Sequence, residues 1–215
     1  MNRHEAERRS VISAARRTVA FGLTHGTSGN VSVRIPGGLA ITPSGLPYDD
    51  LQPADIVVLN TEGVAAPGEL RLPSSEWPMH AAIYRGREEV AATVHVHSPD
   101  ASALSCLRQD LPAFHYMVAI AGGDSVRCAP YAVFGSQAIA DRAVEALTDR
   151  TACLLANHGL VAVGPSLDAA LAVATEVEFL AGIYLKLLSI GRVEVLSSVE
   201  MNEVRARFDS YGQRP

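Results

Sequence analysis

Lysine is almost missing from this chain, with one residue, Lys186, among 215. An amine that forms Schiff bases with carbonyl substrates therefore has a single candidate, set in a long C-terminal helical stretch away from every polar motif, and covalent amine chemistry is disfavoured. Cysteine is also scarce. Cys106, Cys128 and Cys153 are an odd number at wide spacing; with no CxxC pair they form neither a redox motif nor a zinc ribbon, and they fit reduced thiols in a cytoplasm. No apolar run reaches the length of a membrane span. The opening MNRHEAERRS lacks the apolar core of a secretory leader, and Glu5 and Glu7 do not suit an organelle transit peptide. A basic stripe is missing too: 18 Lys+Arg stand against 23 Asp+Glu, for a formal charge of −5. These absences lead us to expect a cytoplasmic protein with neither nucleic acid nor membrane as partner.

What is present is ample apolar material, 48% of residues, with no internal repeat and no linker long enough to divide the chain. One domain over residues 1–215 is expected. A chain of this size buries roughly 70% of the surface its unfolded form exposes, so it needs no structural metal, and any metal it holds is expected to serve chemistry.

Residues 3–21 carry Glu5 and Arg9 four apart and Ile12, Ala15, Val19 and Ala20 at helical spacing, then meet Gly22. NVSVRI alternates apolar and polar residues before a PGG turn, which predicts a β-hairpin. LAIT, IVVLN, VAATVHVH, ACLLAN and LVAV are further strand-like runs, and 74–85, 99–107, 136–149 and 168–189 have helical length and spacing. Turns separate the strands as often as helices do, so the sheet is expected to be mixed or mainly antiparallel, layered with helices.

TVHVH places His95 and His97 two apart on a β-branched run, so both imidazoles leave the same face of a strand in a chelating arrangement. His158, in LLANHGL, sits where an apolar strand meets a glycine. Three histidines with an open position are a known catalytic zinc arrangement, provided the fold brings His158 near; a solvent-facing pair is the bland alternative. His4, His25, His80 and His115 read as surface, loop or core residues, although His80 follows Glu76 by four and shares its helical face. In LPSSEWPMH, Ser74 and Ser75 precede Glu76, as a serine N-cap does at a helix start. The same hydroxyls and free N–H groups suit a phosphate or carboxylate. TSGN, Thr27 to Asn30, and TPSG, Thr42 to Gly45, offer similar donors; each alone is ordinary turn chemistry, and together they point to a bound anion. Glu76 is either a dipole-stabilising residue or a general base. Tyr116, in the apolar, strand-like run of PAFHYMVAIAGG, is either a packed tyrosine or an acid.

In order along the chain, GTSGNVSVR, ITPSGLPYDDL, LPSSEWPMH, TVHVH, HYMVAIAGGDSVRCAPYAVFG, NHGL and the C-terminal DSYGQR resemble the class II aldolase and adducin family. The resemblance implies an α/β fold, a three-layer α/β/α sandwich around a mainly antiparallel mixed sheet, assembled as a homotetramer with active sites between subunits. It implies zinc on His95, His97, His158 and Glu76, with Glu76 also the acid/base. It further implies phosphate binding by Thr27, Gly29, Asn30, Ser44, Gly45, Ser74 and Ser75. Tyr116 from a neighbouring subunit would be the proton donor, with Phe134 and Tyr211 shaping an aldehyde pocket. The implied reaction is reversible cleavage of L-fuculose 1-phosphate, or a related ketose 1-phosphate, to dihydroxyacetone phosphate and an aldehyde such as L-lactaldehyde. Related activities are a 5-deoxyribulose-1-phosphate aldolase, a methylthioribulose-1-phosphate dehydratase and an L-ribulose-5-phosphate 4-epimerase, the last typically with aspartate in place of Glu76. A non-catalytic adducin-like module predicts loss of the ligand set, which is intact here. Asp124 and Arg127 depart from the family pattern beside a segment expected near an interface and bear on aldehyde preference.

Overall fold

The computed structural model of the protein describes residues 4–208, so Tyr211 and DSYGQR lie outside the described residues. The strands are β1 (Asn30–Ile35), β2 (Gly38–Ile41), β3 (Val57–Asn60), β4 (Ala92–Val96), β5 (Leu111–Pro112), β6 (Ser125–Ala129), β7 (Ala152–Leu155) and β8 (Gly159–Gly164). The helices are α1 (Glu5–Ala20), α2 (Trp77–Gly86), α3 (Pro99–Cys106), α4 (Gln137–Ala146), α5 (Leu167–Ile190) and α6 (Ser198–Phe208). The strands form one eight-stranded sheet in the order β3-β2-β1-β4-β8-β7-β6-β5. Every neighbouring pair is antiparallel except β6 with β7.

Side chains alternate across this sheet. Val31, Val94, Val96, Leu154, Leu160 and Ala162 pack with α1, α3 and α5 on one face. Leu39, Ile41, Val57, Leu59, Cys153, Leu155, Val161 and Val163 pack with α2 and α4 on the other. Two helical layers enclose the sheet, which is the three-layer mainly antiparallel sandwich expected. Each helix buries one stripe. In α5 the Ser166 hydroxyl accepts Ala169 N at 3.2 Å to cap the start, and Gly191 at φ +83° ends it.

Two local expectations change. The helix expected from residue 74 begins at Trp77, with Glu76 at the capping position rather than a serine; Ser74 Oγ accepts Glu76 N at 3.3 Å from two residues upstream. Residues after His115 form a short 3₁₀ helix, Tyr116–Ala121, instead of a strand: the His115 ring accepts Met117 N at 3.2 Å, and Gly122 at φ +89° terminates the turn. Arg127 donates to the carbonyls of Ala146 and Thr148, and Asp124 pairs with Arg150 at 3.1 Å, so both side chains tie β6 to the turn after α4.

Candidate active site

β1 and β4 pair so that Asn30 faces His95 across the ladder, which puts both on the sheet face covered by α2. His95 is fully buried. Its Nδ1–H donates to Leu160 O of β8 at 2.9 Å, which fixes the tautomer and turns a lone pair on Nε2 inward. His97 follows just past the end of β4, with its Nε2 3.0 Å from His95 Nε2. His158 comes from the turn joining β7 and β8, where Asn157 takes φ +54° and β8 starts at a glycine. A Cβ on Gly159 would lie 2.4 Å from Val96 O and 3.0 Å from the His97 ring, so only glycine lets the turn close over β4. The three imidazole centroids stand 4.7 to 4.9 Å apart.

Glu76, buried at the start of α2, completes the group. Its Oε2 is 3.0 Å from His95 Nε2 and accepts Asn30 Nδ2–H at 3.0 Å; its Oε1 is 3.6 Å from His158 Nε2 and has no hydrogen-bond partner. Ligand atoms of Glu76, His95, His97 and His158 all lie within 4.8 Å of one another. A buried carboxylate oxygen without a partner, beside inward lone pairs of imidazoles, is a donor set that fits a divalent cation. Burial pushes His97 and His158 down to about 4, and the neighbouring His95 ring adds to it. Burial alone would raise the Glu76 carboxyl, but the facing His95 and His158 rings and the Asn30 amide outweigh this and hold it well below the usual carboxylate range. His97 and His158 are thus neutral and the carboxylate ionised, the states a metal requires.

Beside this cluster a cavity of about 400 Å³ opens onto the loops. Thr27, Gly29, Asn30, Ser44, Gly45, Ser74, Ser75, Glu76, His97, His158 and Phe134 all line it. The loops lock together through backbone bonds: Ser44 N to Leu72 O and Ser74 N to Thr42 O, both 3.0 Å. Gly29, at φ +81°, presses against β4 so closely that a Cβ would be 2.7 Å from His95 O, and Tyr48 Oη donates to Gly29 O at 2.7 Å to hold it there. Of the other expected residues, Tyr116 is half exposed in a separate apolar cavity with Met117, Leu196 and Phe208, apart from Glu76 within this chain. Ser28, Pro43, Tyr131, Ala132 and Asn157 line the site without having been singled out as site residues. The aromatic CAPYAVFG run and an Asn before HG, the side chain that best tolerates a left-handed backbone, are the sequence signals that mark Tyr131 and Asn157.

Residues 9–185 match the Class II Aldolase and Adducin N-terminal domain family. The chain belongs to this family. Across 208 residues it is 47% identical to the 5-methylthioribulose-1-phosphate/5-deoxyribulose-1-phosphate aldolase of Rhodospirillum rubrum, covering 96% of this chain and 93% of that protein. Across 207 residues it is 44% identical to the L-fuculose phosphate aldolase of Escherichia coli strain K12, covering 96% and 95%. A solved L-fuculose 1-phosphate aldolase superposes with a TM-score of 0.91 at 40% identity, over 95% of this chain and 96% of that one. This class II aldolase is therefore an aldehyde-lyase, of a metal-dependent type. Among the described residues no helix is long and apolar enough to cross a membrane.

Proposed function

We propose that the protein is a zinc-dependent aldolase that reversibly cleaves L-fuculose 1-phosphate, or a closely related ketose 1-phosphate, to dihydroxyacetone phosphate and an aldehyde such as L-lactaldehyde. The observation that carries this reading is the convergence of Glu76, His95, His97 and His158 beside a cavity walled by hydroxyls and glycines. Zinc, which would be held by His95, His97 and His158 and, until substrate enters, by Glu76, would supply Lewis-acid polarisation of the substrate oxygens. Ser44, Ser74, Ser75 and Thr27, with the backbone at Gly29, Asn30 and Gly45, hold the phosphate; a cavity rich in hydroxyls and turn N–H groups suits that anion. The ionised Glu76 takes a proton from the hydroxymethyl carbon of dihydroxyacetone phosphate in the condensation direction and returns it during cleavage. Tyr116 of the partner subunit gives its proton to the aldehyde oxygen as the new carbon–carbon bond forms. Its half exposure in an apolar cavity of its own subunit suits a residue that serves a neighbour in a homotetramer. Phe134 and Tyr211 shape the aldehyde pocket. Residues 1–215 act as one class II aldolase domain, and the free Cys106, Cys128 and Cys153 support a cytoplasmic location.

A second reading has its own support: the Rhodospirillum rubrum relative is named for 5-deoxy and 5-methylthio ketose phosphates, and the aromatic side of the cavity, Tyr131 with Phe134, suits a less hydroxylated aldehyde. The deciding assay is dihydroxyacetone phosphate release from L-fuculose 1-phosphate and from 5-deoxyribulose 1-phosphate, with chelator and with zinc restored. Chelator-sensitive release from either supports the aldolase, and the ratio assigns the aldehyde. No release from either by zinc-loaded protein contradicts it. Mixed tetramers of Tyr116→Phe and Glu76→Gln subunits, each inactive alone, are expected to regain activity if sites are shared; verified hybrids without activity contradict the sharing.

A further inference from the structure

Behind Glu76 runs a chain of hydrogen bonds that neither the metal set nor the phosphate loops account for. It occupies the α2-facing side of β1 and the inward stripe of α2. Asn30 is 3% exposed, and Ser32 and His80 are fully buried, so every polar atom here must find a protein partner. Chemistry fixes the direction of each bond. A carboxylate only accepts, so the Asn30 group facing Glu76 Oε2 is the Nδ2 amide, at 3.0 Å. Asn30 Oδ1 then faces His80 Nε2 and needs a donor, which makes Nε2 the protonated nitrogen of His80. His80 Nδ1 is left as an acceptor, filled by the Ser32 hydroxyl at 2.6 Å. The Tyr84 hydroxyl, 2.7 Å from Ser32 Oγ and 3.0 Å from Ser32 O, closes the chain by donating to that residue. Burial pushes His80 down to about 3, so the ring is neutral and has one N–H to place.

The spacing explains why these residue types sit here. His80 and Tyr84 are four apart on α2 and so share one face, while Asn30 and Ser32 are two apart on β1 and share the other. Glu76 lies four residues before His80, at the cap of α2. Helix and strand are therefore cross-linked at three successive levels, and the last level is the carboxylate.

We propose that His80, as its Nε2–H tautomer, is a positioning residue that locks the Asn30 carboxamide so that Nδ2 always donates to Glu76. Without this lock the amide can turn and present Oδ1 to the carboxylate, which repels it from its working position. The proposal rests on the reading of Glu76 as the proton-transfer group. It assigns a role to a histidine that is neither ligand nor acid/base.

The test needs no variant for its first arm. In zinc-loaded, ¹⁵N-histidine-labelled protein the expected signature of His80 is a protonated Nε2 and an unprotonated Nδ1; a protonated Nδ1 reverses the chain and overturns the proposal. In the second arm His80→Asn, too short to reach Asn30, is expected to lower kcat about 10–100-fold with KM little changed, and His80→Gln, whose terminal amide can donate where Nε2 did, to recover much of that loss. Equal losses in both variants, or a fall confined to thermal stability with kcat per folded site intact, mark a purely structural residue and overturn it. In an Asn30→Ala background His80→Asn is expected to add no further loss; full additivity overturns the coupling. The two readings fail differently. If Glu76 is not the proton-transfer group, Glu76→Gln leaves kcat intact while the His80 tautomer stands; if the lock is wrong, the tautomer or the variant pattern fails while Glu76→Gln remains inactive.

Discussion

The two faces of β1 and β4 differ in kind although they belong to the same residues' backbone. Val31, Val94 and Val96 look toward α1, α3 and α5 and are fully buried among apolar side chains. Asn30, Ser32 and His95, interleaved with them, look toward α2 and are as deeply buried, but in a polar network that ends on Glu76. One face supplies cohesion and the other positions charge, and period-2 alternation lets adjacent residues serve the two ends. The polar side is local: farther out on the same face, Leu39, Ile41, Leu59, Val161 and Val163 rebuild an apolar core under α2 and α4. Burying polar groups costs free energy unless each is paired, so a site of this kind survives only where pairing is complete or a bound cation finishes it.

The comparison can be broken from either side. Glu76→Gln keeps the shape of the polar face and removes its base, and kcat is expected to fall about 10²–10⁴-fold with the fold intact. At about 1.4 kcal/mol per decade this is ~3–6 kcal/mol of transition-state stabilisation. Turnover assays with circular dichroism check it, and an unchanged kcat contradicts the role. On the apolar face, Leu154→Ala is expected to cost ~2–5 kcal/mol of stability, because Leu154 is fully buried, while activity per folded molecule stays the same. Denaturant titration beside specific activity separates the two effects.

The smallest effect concerns pH. In the metal-free fold His97 and His158 are held down to about 4, and His80 to about 3, by burial in the first place. An unfolded histidine titrates near 6.5. As pH falls from 6.5 toward 4 the unfolded chain takes up protons that the fold refuses, so metal-free stability is expected to decline through that window. Midpoints of urea unfolding at pH 7.5 and 5 check this; no decline means these rings are not buried neutral. The apolar face contributes nothing to it.

Much of this division is visible in the residues themselves, and the missing parts share a cause. TVHVH announces two imidazoles on one strand face because alternation is local. The hairpin at NVSVRI and the helix of 168–189 are local patterns too, and α5 differs from that expectation by one residue at each end. His158 joins the pair only because β8 lies beside β4, a long-range pairing that no window of sequence contains. The same holds for Leu160 O behind His95 and for the pairing of His80 with Asn30, fifty residues apart. SVRCA, a strand with Arg127 in its middle, escapes pattern reading because its side chains bond to the turn after α4 instead of facing solvent. Tyr116 lies where apolar content suggests a strand, yet one ring acceptor at His115 and one glycine at Gly122 wind the segment into a 3₁₀ turn.

The central claim is that Glu76, His95, His97 and His158 hold one catalytic metal. Anomalous diffraction at the zinc absorption edge, from crystals of zinc-loaded protein active in solution, tests it most directly. A single strong peak bounded by these four side chains is the expected result; a peak elsewhere, or none at this cluster in active protein, contradicts it.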